Sequence, residues 1–157
     1  MRDMARAKGG RSATNRATAA PEPRATAGYS GTPLPKKLGI REGTAVFVRR
    51  PPAGFERMLV PLPEGAVVRT RGRGPRDVTI WFLRSAKDLA ADLPAMLEAA
   101  GPGKLWLAWP KKASGVRTDL TENVLREHVL PRGWVDIKVC AIDAVWSGLL
   151  FSQRKAR

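Results

Sequence analysis

Two continuous apolar runs limit this chain to very few folds. They are Asp77-Val78-Thr79-Ile80-Trp81-Phe82-Leu83 and Leu105-Trp106-Leu107-Ala108-Trp109. Strands that are apolar on both faces belong to a sheet covered on both sides. A helix is predicted between them. Ser85 with Asp88 fits a capping pattern that satisfies first-turn N–H groups. Leu89, Leu93, Met96, Leu97 and Ala100 form one apolar stripe. Pro94 should kink or split that helix, and Gly101-Pro102-Gly103 ends it. Strand, helix, strand is a parallel crossover unit, right-handed by the usual chirality.

The rest of the chain extends this pattern. A first strand is expected at 44–48, stopped by Pro51-Pro52, with one or two helical turns over 54–59. A short second strand covers 67–70, bounded by Gly72 and Gly74. Thr121 is the expected N-cap of a second helix, with Leu120 and Leu125 as a hydrophobic staple. Strands at 134–141 and 146–153 share a short connection and should pair antiparallel. The expected fold is a single α/β domain with a mainly parallel sheet and helices on both faces, a Rossmann-like three-layer sandwich. Residues 1–27 have almost no large apolar side chains and read as a disordered basic tail. The folded domain is expected over 28–157, and its length is enough for a core without disulfide or metal.

The net charge of +14 is spread along the chain. Residues 1–27 hold six Lys/Arg against two acids, and the remainder holds 22 against 12. A basic domain favours an anionic partner, either a small phosphate-bearing molecule or nucleic acid. A single histidine, His128, and a single cysteine, Cys140, exclude a zinc centre built from such ligands. Cys140 reads as a buried, inert thiol, and His128 as a half-buried helix residue. No G-x-S-x-G elbow and no P-loop are present. No run of about 18 apolar residues exists to cross a membrane. There is no secretory apolar segment either, so a cytoplasmic protein is expected.

Candidate site residues fall at the carboxyl ends of strands, where open α/β sheets bind ligands. After Trp109 and Pro110 come Lys111, Lys112, Ala113, Ser114 and Gly115. The lysines supply charge, Ser114 a hydrogen bond, and Gly115 close backbone approach, a combination suited to phosphate or carboxylate. Arg49, Arg50, Arg84 and Ser85 should line the neighbouring crevice. Asp143 ends the fifth strand on the same edge and could face Lys111 or Lys112 in a salt bridge. Of five tryptophans, Trp81, Trp106 and Trp134 belong to the core, while Trp109 and Trp146 are the candidates for exposure and base stacking. The loop after the first strand has Pro51-Pro52 where a dinucleotide or S-adenosylmethionine site would have glycines. The second strand ends in Arg69-Thr70-Arg71 rather than an acid.

Six separated motifs resemble one family. They are Gly28-Tyr29-Ser30-Gly31-Thr32-Pro33-Leu34, Pro61-Leu62-Pro63-Glu64-Gly65, Ala108-Trp109-Pro110-Lys111-Lys112-Ala113-Ser114-Gly115-Val116, Thr118-Asp119-Leu120-Thr121-Glu122, Lys138-Val139-Cys140-Ala141-Ile142-Asp143 and Trp146-Ser147-Gly148-Leu149. In this order they resemble the bacterial domain-of-unknown-function family numbered 3052, over residues 28–152. The resemblance implies a small cytoplasmic bacterial protein and carries over no activity or catalytic residue. The second half of the chain also looks like the class I methyltransferase fold. That likeness implies sheet order 2-1-3-4-6-5 with strand 6 antiparallel. The expected function is a non-catalytic module, without cofactor, that binds an anionic ligand or partner at the carboxyl edge. The alternatives are a divergent methyltransferase using S-adenosylmethionine and a nucleic-acid-associated basic protein.

Overall fold

Each expected strand forms close to its apolar run. The computed structural model describes residues 31–155, so the segment read as a disordered tail lies outside the described residues. The strands are β1 (Ala45–Arg49), β2 (Val67–Arg69), β3 (Val78–Phe82), β4 (Lys104–Pro110), β5 (Trp134–Ala141) and β6 (Trp146–Gln153). The helices are α1 (Leu34–Lys37), α2 (Ala86–Ala100) and α3 (Glu122–Val129), with 3-10 turns at Phe55–Leu59, Lys112–Ser114 and Leu130–Arg132. The sheet order is β2-β1-β3-β4-β6-β5. Strands β1 to β4 are parallel, and β6 runs antiparallel to both its neighbours. This is the expected Rossmann-like α/β arrangement.

Capping places the two long helices. Ser85 Oγ accepts from the Asp88 N–H at 3.1 Å, and Asp119 Oδ1 accepts from the Ala86 N–H at 2.8 Å. Thr121 Oγ1 accepts from the Val124 N–H at 3.1 Å. These bonds satisfy donors that a helix start leaves open. Helix α2 runs unbroken through Pro94. Pro94 and Ala90 are both exposed, so the missing hydrogen bond falls on the water side of the helix.

The two faces of the sheet are covered unequally. On one, Trp81, Leu105, Leu107 and Leu149 pack against Leu89, Leu93 and Met96 of α2 and Leu125 and Val129 of α3. On the other, Val48, Ile80, Phe82 and Trp106 lie under Leu38, Ile40, Phe55 and Leu59. The expected second helix layer is therefore reduced to the four residues of α1 and one 3-10 turn. Pro51, Pro52, Pro61 and Pro63 punctuate the β1–β2 crossover and leave no room for a long helix. The segment around α1 acts as a strap instead. Trp106 Nε1 donates to the Leu38 carbonyl at 3.0 Å, and Lys37 Nζ donates to the Ala141 carbonyl at 2.8 Å.

The β2–β3 link also lacks a helix. Both strands are parallel to β1, which lies between them, so residues 70–77 must cross β1 to connect them. The Arg69 guanidinium donates to the carbonyls of Arg73 and Pro75 at 3.0 and 2.8 Å, which folds the link back on itself.

Candidate functional site

The order of strands reverses between β1 and β3, so the ligand crevice of such a sheet should open at their carboxyl ends. Three aromatic rings of one core cluster gather beside that place. Phe55, on the 3-10 turn after β1, stands edge-on to Phe82 at the end of β3, with ring centroids 4.8 Å apart. Phe82 stands edge-on to Trp146 at 5.0 Å. All three rings are buried. Edge-to-face pairs of this kind contribute about 0.5–1.5 kcal/mol each beyond their buried area. This aromatic seal is the feature the sequence reading missed. Its signal was faint: Phe55 follows the Pro51-Pro52 stop, but nothing local says that its ring turns back toward β3.

The seal changes the expected role of Trp146. The ring was expected at the surface, yet it is 5% exposed, and Trp109 is 7% exposed within the core on the α2 and α3 side. Neither ring is open for base stacking. Strand β4 ends at Pro110. That last residue is paired in register with Trp146.

Several other candidates sit on the expected edge with their polar atoms engaged within the fold. The Arg49 guanidinium turns to α2, donating to Asp92 Oδ2 at 2.6 Å and lying 5.4 Å from the Trp81 ring centroid. Ser85 caps α2. Ser114 Oγ donates to the Lys111 carbonyl at 2.7 Å and accepts from the Val116 N–H at 3.1 Å. With Gly115 at φ +80°, these bonds close the turn after β4. Asp143 Oδ1 accepts from the N–H groups of Val145 and Trp146, both at 2.8 Å, which shapes the β5–β6 turn. The Lys111 N–H donates to the Val145 carbonyl at 2.7 Å, tying the two turns together.

Three cations of the set are exposed: Arg50, Arg84 and Lys112. Arg50 has φ +56°, a left-handed conformation that a non-glycine residue adopts at some cost in strain. The Arg84 guanidinium lies 5.1 Å from the centroid of Trp146. Its cation–π contact holds the charge above the seal. The edge thus presents a basic rim over an aromatic floor.

The remaining candidates lie elsewhere. Cys140 is half-buried, and burial pushes its thiol above the ordinary range, with Lys37 and Lys138 opposing the shift. His128 is half-buried on α3, as expected. Among the described residues no cluster of His, Cys, Asp or Glu could hold a metal ion. Among them, too, no helix is long and apolar enough to cross a membrane.

No protein-family model matches the chain, and no curated protein matches it in sequence. Solved structures do. A putative type 11 methyltransferase from Sulfolobus solfataricus is similar with a TM-score of 0.53 and 10% identity, over 78% of this chain and 90% of that one. A possible exported protein from Bordetella parapertussis gives a TM-score of 0.52 and 10% identity, over 78% of this chain and 66% of that one. A ribosomal RNA methylase from Streptococcus thermophilus gives 0.47 and 12%, over 78% and 94%. The likeness is one of fold: the Rossmann-like α/β sheet is shared with the Sulfolobus protein.

Proposed function

We propose that this methyltransferase-type fold serves as a non-catalytic binding module whose carboxyl rim takes a phosphate-bearing ligand or partner. The aromatic seal of Phe55, Phe82 and Trp146 carries the reading. It stands beside the switch-point position where a cofactor would enter such a sheet. Two further features support it. Pro51 and Pro52 remove backbone donors where a glycine turn would approach a cofactor. Strand β2 ends in Arg69 rather than in an acid for ribose hydroxyls. Outside the seal, Arg50, Arg84 and Lys112 concentrate positive charge, which attracts anions over a distance of about one Debye length, ~8–10 Å. Membership of the bacterial family numbered 3052, and with it a cytoplasmic setting, forms part of the same proposal and rests on the six ordered motifs.

The second reading, a divergent methyltransferase, is favoured by the likeness to the Sulfolobus protein. One calorimetric series separates the two. Wild type and an Arg84→Gln/Lys112→Gln double variant are titrated with pyrophosphate, a short oligouridylate and S-adenosylmethionine. The binding-module reading expects an anionic probe to bind wild type and to weaken at least about tenfold in the variant, as for two charge-assisted contacts. It also expects no heat with S-adenosylmethionine. Heat with that cofactor, together with methyl transfer, selects the enzyme. Undiminished anion affinity in a folded double variant overturns the rim assignment.

A further inference from the structure

The second concentration of cations lies away from the rim, on the face of the sheet that α2 covers. Four arginines, Arg69, Arg71, Arg73 and Arg76, fall between 69 and 77 with one carboxylate, Asp77. Asp77 Oδ2 is engaged by the Ala45 N–H at 2.8 Å. Arg69, Phe47 and Thr79 are register partners across β2, β1 and β3, so their side chains share one face. On that face the Arg76 guanidinium stacks 3.7 Å from the Phe47 ring centroid, and Arg69 lies at 5.9 Å from the same ring.

Two observations there have no explanation within the fold. Arg76 Nη1 is buried without a hydrogen-bond partner, and so is Thr79 Oγ1. Thr79 itself is fully buried, at 0% exposure. Unpaired buried polar groups are uncommon, and here two flank one aromatic ring. The charge balance is equally one-sided. Arg49 is answered by Asp92. Arg69 bonds only neutral carbonyls. Among the described residues no carboxylate pairs with Arg69 or Arg76. Burial and then the charges of Arg69 and Arg49 push the Arg76 guanidinium below its ordinary value.

We propose that Arg69 and Arg76, stacked over Phe47 beside Thr79, form an anion site for a phosphate group, separate from the carboxyl rim. Stacking fixes the guanidinium plane and leaves its edge donors for a planar or tetrahedral anion, a fork geometry that lysine cannot supply. A phosphate bound at the solvent-facing edge of the pair, where both arginines are only half-buried, neutralises two arginines that otherwise repel. Gly74 lets the link approach closely, since a Cβ there would sit 3.3 Å from Arg69 Nη2 and the residue has φ +142°. The phosphate of a small molecule and that of a nucleic acid share this chemistry.

The test is run in the Arg84→Gln/Lys112→Gln background, so that failure of the rim reading and failure of this one are distinguishable. Pyrophosphate and a short oligouridylate are titrated at fixed ionic strength. Saturable binding of either is expected, weakened about tenfold or more by Arg76→Gln and not restored by Arg76→Lys. Pyrophosphate binding alone assigns a small ligand, and oligouridylate binding that competes with pyrophosphate assigns a nucleic acid. Arg76→Met supplies a second readout, because it still covers Phe47 but removes the charge. Its melting temperature without anion should match or exceed that of its parent, and added pyrophosphate should raise only the parent's. No binding by either probe, binding undiminished by Arg69→Gln and Arg76→Gln, or an equal melting response in Arg76→Met overturns the proposal.

Discussion

Gly148 measures how little slack the core has. A Cβ there would lie 3.0 Å from Trp106 Cε3 and 3.2 Å from Ile142 Cδ1. Trp106 cannot swing aside without breaking its Nε1 bond to the Leu38 carbonyl. Gly148→Ala should therefore cost about 1–3 kcal/mol, as overpacking does. A lower urea midpoint with an unchanged slope would show it. At this scale the sequence is legible where a side chain acts on its own neighbours. Ser85 and Thr121 were readable as caps because the capped N–H lies three residues on. Asp143 and Ser114 act just as locally, closing turns two and three residues away, whereas the sequence suggests a salt bridge for Asp143 and a ligand contact for Ser114. Trp109 and Trp146 are buried for a reason their neighbours in sequence do not carry. A residue at a strand end is buried or exposed according to what the rest of the chain lays over it, and that is not a local property.

Helix α2 carries its own test. Pro94 forfeits one backbone hydrogen bond on an exposed turn while the helix continues to Ala100. Pro94→Ala restores that bond. It should stabilise the protein by about 1–2 kcal/mol, the propensity gain less the entropy proline removes from the unfolded chain. Thermal unfolding would register a higher midpoint, and an unchanged or lower one would mean that Pro94 packs better than its exposure indicates. The strands were legible because each is an apolar run with a breaker at its end. The layer on the Phe82 face was not, although its cause was in plain view. Four prolines in the β1–β2 crossover forbid the helix that the crossover rule expects. The strap around α1 leaves no sequence signal, because four residues show no periodicity.

For the molecule as a whole, the aromatic seal joins stability to function. Phe55 is 1% exposed, and Phe55→Ala should cost about 3–5 kcal/mol, a large share of a typical ~5–15 kcal/mol total. The expected outcome is a sharply lower melting temperature, and a change under about 1 kcal/mol would mean that the seal is not part of the core. Alternation of strands and helices gives parallel pairing but not who stands beside whom, so the order 2-1-3-4-6-5 was legible only through the likeness to the methyltransferase fold, and the sheet has it. That order has a consequence for how the protein is made. Strand β6 is inserted between β4 and β5, and β5 has its ladder with β6 alone. A ribosome releases residues 134–141 before 146–153. During synthesis β5 therefore has no ladder partner until β6 follows, and Ile137 and Val139 remain exposed even in the finished sheet. Strand β5 can join the sheet only through β6, so its place depends on residues 146–153 pairing with β4 as well as with β5.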